Sequence, residues 1–226
     1  MKRKKQDSHS PNPVTPEICY PAFLNLKDKK AVVVGGGKIA ERKIIALLKT
    51  GADIKVISPE LTKKIEKEKL QGRIEHICRR YRKGDLKNAF LVIAATNSPA
   101  ANELISKDAP CLVNVVDTPH LCNFIVPSTV TRGPLCIAIS TSGISPALSM
   151  SIRKELEKLY GPGFSNYLKL LKKIRSQAMA HILNGKQRRN FLQAIASEKI
   201  AKMLREKGLK KTKKVADNLF RKAKSP

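Results

Sequence analysis

The sequence predicts an α/β architecture: a parallel sheet covered by helices on both faces, then a small β segment, then a helical domain. Three observations predict it. Short apolar runs alternate with amphipathic stretches through the first half of the chain, a glycine turn joins the first run to the first helix, and the last third changes to helical periodicity rich in Lys and Arg. Hydrophobic residues make up 42% of the 226, enough for a sizeable core, and this excludes a disordered or fibrous chain.

Residues Met1 to Glu17 are polar and carry Pro11, Pro13 and Pro16, so residues 1–19 read as a flexible tail. Candidate strands follow at Ala31–Val34, Ile54–Ile57, Ile74–Cys78, Leu91–Ala95 and Cys111–Val115. The first and fourth are apolar throughout, as strands covered on both faces must be. Ala40, Ile44, Leu47 and Leu48 form one helical stripe, expected to end at Thr50-Gly51 with Gly51 as its cap. Further helices are expected over Thr62 to Leu70 and Ala100 to Lys107.

Beyond Asn114 the pattern becomes a meander, with strands at Phe124–Val126, Ser128–Thr131 and Leu135–Ser140. The last two flank a turn at Arg132-Gly133-Pro134. Ser145-Pro146 starts a helix, Ser as N-cap and Pro in the first turn, with the stripe Leu148, Ile152, Leu156 and Leu159. After Gly161-Pro162-Gly163 come helices over Phe164–Asn184, Gln187–Ala196 and Ser197–Lys207, the last capped by Gly208, and a frayed Lys-rich end beyond Lys210.

Gly35-Gly36-Gly37-Lys38-Ile39-Ala40 follows a buried strand, opens an amphipathic helix and fits G-x-G-x-x-G/A. In this context the pattern is that of a Rossmann-type dinucleotide-binding turn: Gly35 permits the tight turn, Gly37 lets the backbone approach a pyrophosphate, and Ala40 keeps the helix close to the sheet. The second strand ends in Ile57-Ser58-Pro59-Glu60, without the acidic residue that often holds the adenosine ribose. Glu60 could reach that ribose, while Lys63 and Lys64 leave NADP open by chemistry alone.

Charge narrows the partner without naming it. Forty-five Lys+Arg against 18 Asp+Glu give a net +27, and Ser151 to Pro226 alone holds 21 against 5. Such a field suits nucleic acid, an anionic membrane, a substrate rich in carboxylates or phosphates, or simply a solvated surface. No zinc finger, RNP motif or aromatic stacking set accompanies it, so no specific nucleic-acid partner is expected. No apolar run approaches the ~18 residues of a membrane span. No apolar segment follows the basic Met1-Lys2-Arg3-Lys4-Lys5, so the chain reads as cytoplasmic and free of membranes. The five widely spaced cysteines form no metal-ligand pattern; several sit in apolar runs and are expected to be buried, in a reducing compartment. No fixed metal site is expected. The four histidines are scattered, and His120 is the nearest to Asp117.

Several stretches together resemble the precorrin-2 dehydrogenase and sirohydrochlorin ferrochelatase family, the N-terminal module of siroheme synthase. They are Tyr20-Pro21-Ala22-Phe23-Leu24 with Lys27, Val34-Gly35-Gly36-Gly37-Lys38-Ile39-Ala40-Glu41-Arg42-Lys43 and Leu91-Val92-Ile93-Ala94-Ala95-Thr96-Asn97. They continue in order with Cys111-Leu112-Val113-Asn114-Val115-Val116-Asp117, Phe124-Ile125-Val126-Pro127-Ser128 and Ala138-Ile139-Ser140-Thr141-Ser142-Gly143-Ile144-Ser145-Pro146-Ala147.

The resemblance implies that NAD takes a hydride from precorrin-2, giving sirohydrochlorin, in a homodimer whose middle strands pair across subunits. It leaves open whether Fe²⁺ is then inserted as a second substrate. The domains it implies are an NAD-binding domain over 20–116, a dimerisation segment over 117–160 and a basic helical domain over 161–226. Cofactor contacts map onto Gly35, Gly36, Gly37, Lys38 and Ile39, onto Ser58, Pro59 and Glu60, and onto Thr96. The functional aspartate maps onto Asp117, and the Ser-rich loop onto Ser140, Thr141 and Ser142. Thr141 stands where the siroheme-synthase pattern has a Ser that can be phosphorylated, and Asn97 where many relatives have Asp.

Asp117 falls just past the fifth expected strand, at the edge where parallel sheets bind ligands, and a carboxylate there could take the proton that must leave when a tetrapyrrole loses hydride. By its own chemistry it could equally be a turn cap before Thr118-Pro119. Precorrin-2 carries many carboxylates, which Arg132 and Arg153, flanking the Ser-rich loop, could hold. At 226 residues a methyltransferase module is not expected, so a separate enzyme would supply precorrin-2. The rival reading is a module that senses NAD without chemistry.

Overall fold

The computed structural model describes residues 19–224; of the expected tail, residues 1–18 lie outside them. The chain divides into two compact units, Met1–Val126 and Pro127–Pro226.

In the first unit, β1 (Lys30–Val34), β2 (Asp53–Ile57), β3 (Glu75–Ile77), β4 (Leu91–Ala94) and β5 (Leu112–Val115) form one parallel sheet in the order β3-β2-β1-β4-β5. Three helices connect them: α1 (Lys38–Leu48), α2 (Lys63–Leu70) and α3 (Pro99–Asp108). The apolar runs are continuous because alternate residues enter different cores. Ala31 and Val33 of β1 join Ala40, Ile44 and Leu47 of α1 and Ile65 of α2 on one face. Val32 and Val34 join Ile105 of α3, with Leu86 and Ala89, on the other. Each fully buried Val or Ile contributes about 1.5–3 kcal/mol, and β1, β2 and β4 each bury three large aliphatic side chains. Chain order reverses direction between β1 and β4, which opens the crevice where doubly wound sheets take ligands.

Local signals set the helix ends. Thr62 caps α2 by accepting from the Ile65 N–H, and Ser98 caps α3 through the Ala101 N–H, with Pro99 in the first turn. The expected cap at Gly51 needs correction: α1 ends at Leu48 with Lys49 as its C-cap. Thr50 and Gly51 donate back to Leu47 and Leu48, tightening the last turn, and Gly51 (φ 75°) reverses the chain two residues beyond the cap.

The expected strand at Phe124–Val126 is also corrected, since these residues pair with no strand. Side chains complete the outer edge of β5 instead. The Val113 N–H donates to Asn123 Oδ1 at 2.7 Å, the Val115 N–H to Cys122 Sγ at 3.1 Å, and Asn114 Nδ2 to the Phe124 carbonyl at 3.1 Å. Edge donors satisfied this way leave no ladder for a sixth strand.

In the second unit, β6 (Ser128–Arg132) and β7 (Leu135–Ile139) form an antiparallel hairpin. Helices α4 (Pro146–Leu159), α5 (Gly163–His181), α6 (Gly185–Ile195) and α7 (Glu198–Lys224) follow. Ser145 caps α4 through the Leu148 N–H, as expected. The frayed end expected beyond Lys210 is wrong. Gly208 (φ 74°) does break the helix, but the chain continues helical to Lys224. Thr212 and Ala216 are buried, and Leu219, Phe220 and Ala223 pack against Ile174, Ile182 and Phe191. That apolar stripe has helical spacing, and the lysines between its members hide it in the composition.

Cys19, Cys78 and Cys136 are exposed and Cys111 and Cys122 half-buried, so the expected buried cysteines are not found. Aliphatic side chains fill both sheet cores, while Cys78 and Cys111 sit at strand ends, Cys122 in the loop after β5 and Cys136 on β7.

Between β3 and β4, Asp85 receives both arms of Arg79 at 2.7 Å and the Arg82 N–H at 2.8 Å. The Arg79 guanidinium holds its carboxyl below the usual carboxylate range. A lowered folded pKa gives stability that is complete above the unfolded value of about 4 and lost as pH falls through the folded value. Asp85→Asn should therefore lower the midpoint of urea unfolding at pH 7, and flatten the dependence of that midpoint on pH below about 4.

Candidate functional site

The glycine turn lies at the switch between β1 and β4, and each glycine answers to a different neighbour. Gly35 has φ 121°, and a Cβ there would stand 2.2 Å from the Ala95 carbonyl oxygen beyond β4. A Cβ on Gly36 would stand 1.9 Å from the Glu60 carbonyl oxygen and 2.7 Å from Ser58 Oγ. A Cβ on Gly37 would meet nothing within 4 Å. Two glycines thus let the turn seat against β4 and the segment after β2, while the third faces open space.

Backbone bonds fix this seat. The Gly35 N–H donates to the Ile57 carbonyl at 2.9 Å, and the Thr62 N–H donates to the Gly36 carbonyl at 3.0 Å. Gly37 is the N-cap of α1 and offers no capping side chain. The first N–H groups of α1, at the positive end of its dipole, are therefore left for a ligand. Open space beside Gly37 and an uncapped helix start fit the pyrophosphate of a dinucleotide.

The other expected contacts surround this turn unevenly. Lys38 and Ile39 are exposed in the first turn of α1. Ser58 is buried; its N–H donates to the Ile77 carbonyl, and its own carbonyl bonds His76 Nε2 at 2.9 Å. Pro59 and Glu60 are exposed, and the Pro59 carbonyl accepts from the Cys78 thiol. Thr96 is half-buried, with its hydroxyl donating to Asn102 Oδ1 at 2.7 Å and accepting from the Ser98 N–H. That hydroxyl is already occupied in anchoring α3, so it is poorly free to meet a cofactor.

Asp117 is exposed two residues beyond β5, in the left-handed region at φ 58°. This conformation costs a non-glycine residue about 1–2 kcal/mol. Cys122 holds the turn: its sulfur accepts from the Val115 N–H and lies 3.4 Å from the Thr118 carbonyl. The carboxylate itself takes no hydrogen bond or ion pair among the described residues, which leaves it available. Lys43 of α1 lies within its electrostatic reach. Burial and then Arg42 hold the Lys43 amine below its usual range, while Asp117 and Cys122 oppose them. Lys43, His76 and Cys122 were missed as supports, because their roles come from neighbours distant in sequence. His120 is exposed in a short 3-10 turn, Pro119–Leu121. Among the described residues, no three His, Cys, Asp or Glu side chains gather as metal ligands would.

In the second unit the Ser-rich loop is partly self-engaged. Thr141 Oγ1 bonds the Ser145 N–H and carbonyl and Ser149 Oγ, tying it to the start of α4. Ser140 Oγ accepts from the N–H of Ser142, which has φ 51°. Arg153 is paired with Glu157 at 2.8 Å. Arg132 is half-buried, and its Nε has no partner.

Two family models match in chain order: "Putative NAD(P)-binding" over residues 22–128 and "Sirohaem biosynthesis protein central" over residues 132–159. The siroheme synthase of Methylobacillus flagellatus is 40% identical over 174 residues, spanning 76% of this chain and 37% of that protein. The siroheme synthase of Psychrobacter arcticus is 37% identical over 188 residues, 82% of this chain and 34% of that protein.

The chain is similar over most of its length to siroheme synthases.

It spans just over a third of the length of these two synthases. A solved structure of SirC, precorrin-2 dehydrogenase, superposes with a TM-score of 0.76 at 27% identity, covering 90% of this chain and all of SirC. The glycine turn of this chain is carried by a Rossmann-type sheet, and the β hairpin and helices follow it in sequence.

The three glycines separate fold from binding. Gly37→Ala, which meets no neighbour, should leave the melting temperature within a few degrees of the parent. It should weaken dinucleotide binding at least tenfold in a calorimetric titration. Gly35→Ala, forced against the Ala95 carbonyl, should lower the melting temperature sharply, and equal behaviour of the two variants would contradict this division.

Proposed function

We propose that the chain is an NAD-dependent dehydrogenase that oxidises precorrin-2 to sirohydrochlorin in siroheme biosynthesis. One observation carries the reading: an uncapped helix start beside Gly37 and an unpaired, strained Asp117 lie beyond strands of the same sheet, at its carboxyl edge. The likeness to SirC along its whole length supports the substrate.

Gly35 and Gly36 shape the turn, Gly37, Lys38 and Ile39 hold the pyrophosphate on backbone N–H groups, and Ser58, Pro59 and Glu60 form the wall on the adenosine side. Thr96 contributes by setting the chain beyond β4. Bound NAD supplies the acceptor for the hydride. Asp117 accepts the proton that leaves the substrate with it, so the substrate loses two hydrogens and no charge builds up on it. Exposure of Asp117 lets that proton pass on to water, and Cys122 holds the turn that carries the carboxylate. In the second unit, Ser140, Ser142 and Arg132 hold substrate carboxylates. Thr141 shapes the loop, and Arg153 would have to exchange Glu157 for a substrate carboxylate. NAD rather than NADP is read from the exposed Glu60, whose charge would repel a 2′-phosphate. Free thiols at Cys78, Cys111, Cys122 and Cys136 suit the reducing cytoplasm.

Anaerobic mixing of precorrin-2 with NAD and the protein should give the sirohydrochlorin spectrum, and Fe²⁺ added afterwards reports any chelatase step. Asp117→Asn should slow turnover by roughly 10²–10⁴-fold with NAD affinity within about twofold of the parent. Normal turnover by that variant removes Asp117 from the mechanism. Dinucleotide binding with no turnover in the parent protein would mean a sensing module instead.

The working form in this reading is a homodimer joined through the second unit. A two-stranded sheet such as β6–β7 is marginal by itself. The α4 stripe is only partly covered within the second unit: Leu148 is 51% and Leu159 42% exposed, while Ile152 and Leu156 are half-buried. A second copy would cover both. Leu148→Glu should keep the helical circular dichroism and shift sedimentation towards the monomer; an unchanged dimer would remove α4 from the interface.

A further inference from the structure

We propose that one face of α6, with Arg175 of α5, is a second anion site, taking a small ligand that carries several carboxylate or phosphate groups on a compact body. Arg188, Arg189, Leu192, Gln193 and Ala196 recur at helical spacing along that face. Together with Arg175 they line a cleft of about 500 Å³. This cleft lies within the second unit and is lined by no residue assigned above to cofactor or substrate.

Its chemistry is one-sided. Three arginines line the cleft, no carboxylate does, and α5 and α6 together carry seven Lys+Arg and no Asp or Glu. Arg188 is pinned, its Nη1 donating to the Ile182 carbonyl at 2.9 Å. Arg175 and Arg189 are exposed and form no ion pair among the described residues. Like charges gathered without a counter-ion repel each other, and an oxyanion between them relieves that repulsion while accepting forked hydrogen bonds. Leu192 and Ala196 add an apolar floor, which a simple inorganic ion would not use but the body of an organic polyacid would cover. Gln193 supplies a neutral donor beside them.

A ligand of this chemistry could present either carboxylates or phosphates, and two probes separate them. With NAD saturating the glycine turn, the full chain is titrated calorimetrically in about 0.15 M salt, where the screening length is about 8 Å and diffuse attraction is weak. One probe is benzenehexacarboxylate and the other inositol hexakisphosphate. Saturable one-to-one binding of at least one probe is expected, and the tighter probe names the acid group. Arg175→Gln with Arg189→Gln should weaken that binding more than tenfold, while Lys213→Gln with Lys214→Gln, equal in charge but on α7, should change it less than twofold. NAD affinity and helical content should be unaltered in both. Equal weakening by the two pairs, failure of both probes to saturate, or tighter binding of a single-stranded oligonucleotide that both pairs weaken alike would each overturn the site in favour of a diffuse basic surface.

Discussion

The first unit depends on a close approach between backbones. At the end of β1 the chain must turn into α1 with the Ala95 carbonyl on one side and the Glu60 carbonyl on the other, at distances no Cβ could share. That seat is possible only because β1 is paired in register with both β2 and β4, Val34 lying opposite Ile57 and Ala94. The same pairing sends alternate β1 side chains into two separate cores. Packing on both faces of the sheet therefore holds the turn rigid, and the rigid turn leaves the start of α1 uncapped and Gly37 facing open space. Binding capacity here follows from what the fold leaves unsatisfied.

Asp117 shows a different use of the same edge. β5 is the last strand, and its outward N–H groups would invite another strand were they not taken by Asn123 and Cys122. The bonds that close the edge also hold the turn carrying Asp117 in its left-handed conformation. Edge protection and placement of the carboxylate are one structural device. Lys43, half-buried on α1, links this turn electrostatically to the helix that begins at the glycine turn.

The second unit is organised by charge and by a partly covered apolar face. Its helices pack through aliphatic and aromatic contacts, with Tyr160, Phe164 and Tyr167 stacked edge to face and the Tyr167 hydroxyl donating to the Ile195 carbonyl. Lys and Arg cover what remains outside. Within that general surface the α5–α6 cleft differs from the rest, because there three arginines share one concavity with an apolar floor.

Much of this was legible in the sequence because the determinants are local. Unbroken apolar runs mean strands buried on both faces, G-x-G-x-x-A between a strand and a helix means a dinucleotide turn, and Ser98-Pro99 and Ser145-Pro146 mean helix starts. The order of motifs from Tyr20 to Ala147 pointed to the family. Only the tertiary structure could decide the rest. The Phe124–Val126 run looks like a strand until side chains from β5 and the following loop are seen to claim the edge. The helix beyond Lys210 exists because Thr212 and Ala216 find a core made by α5 and α6, which composition cannot reveal. Thr96 and Arg153 matched as site residues but are engaged by Asn102 and Glu157, and His76 and Cys122 support the site without any motif. Local periodicity is written along the chain; partners for buried N–H groups, thiols and charges are chosen only once distant segments meet.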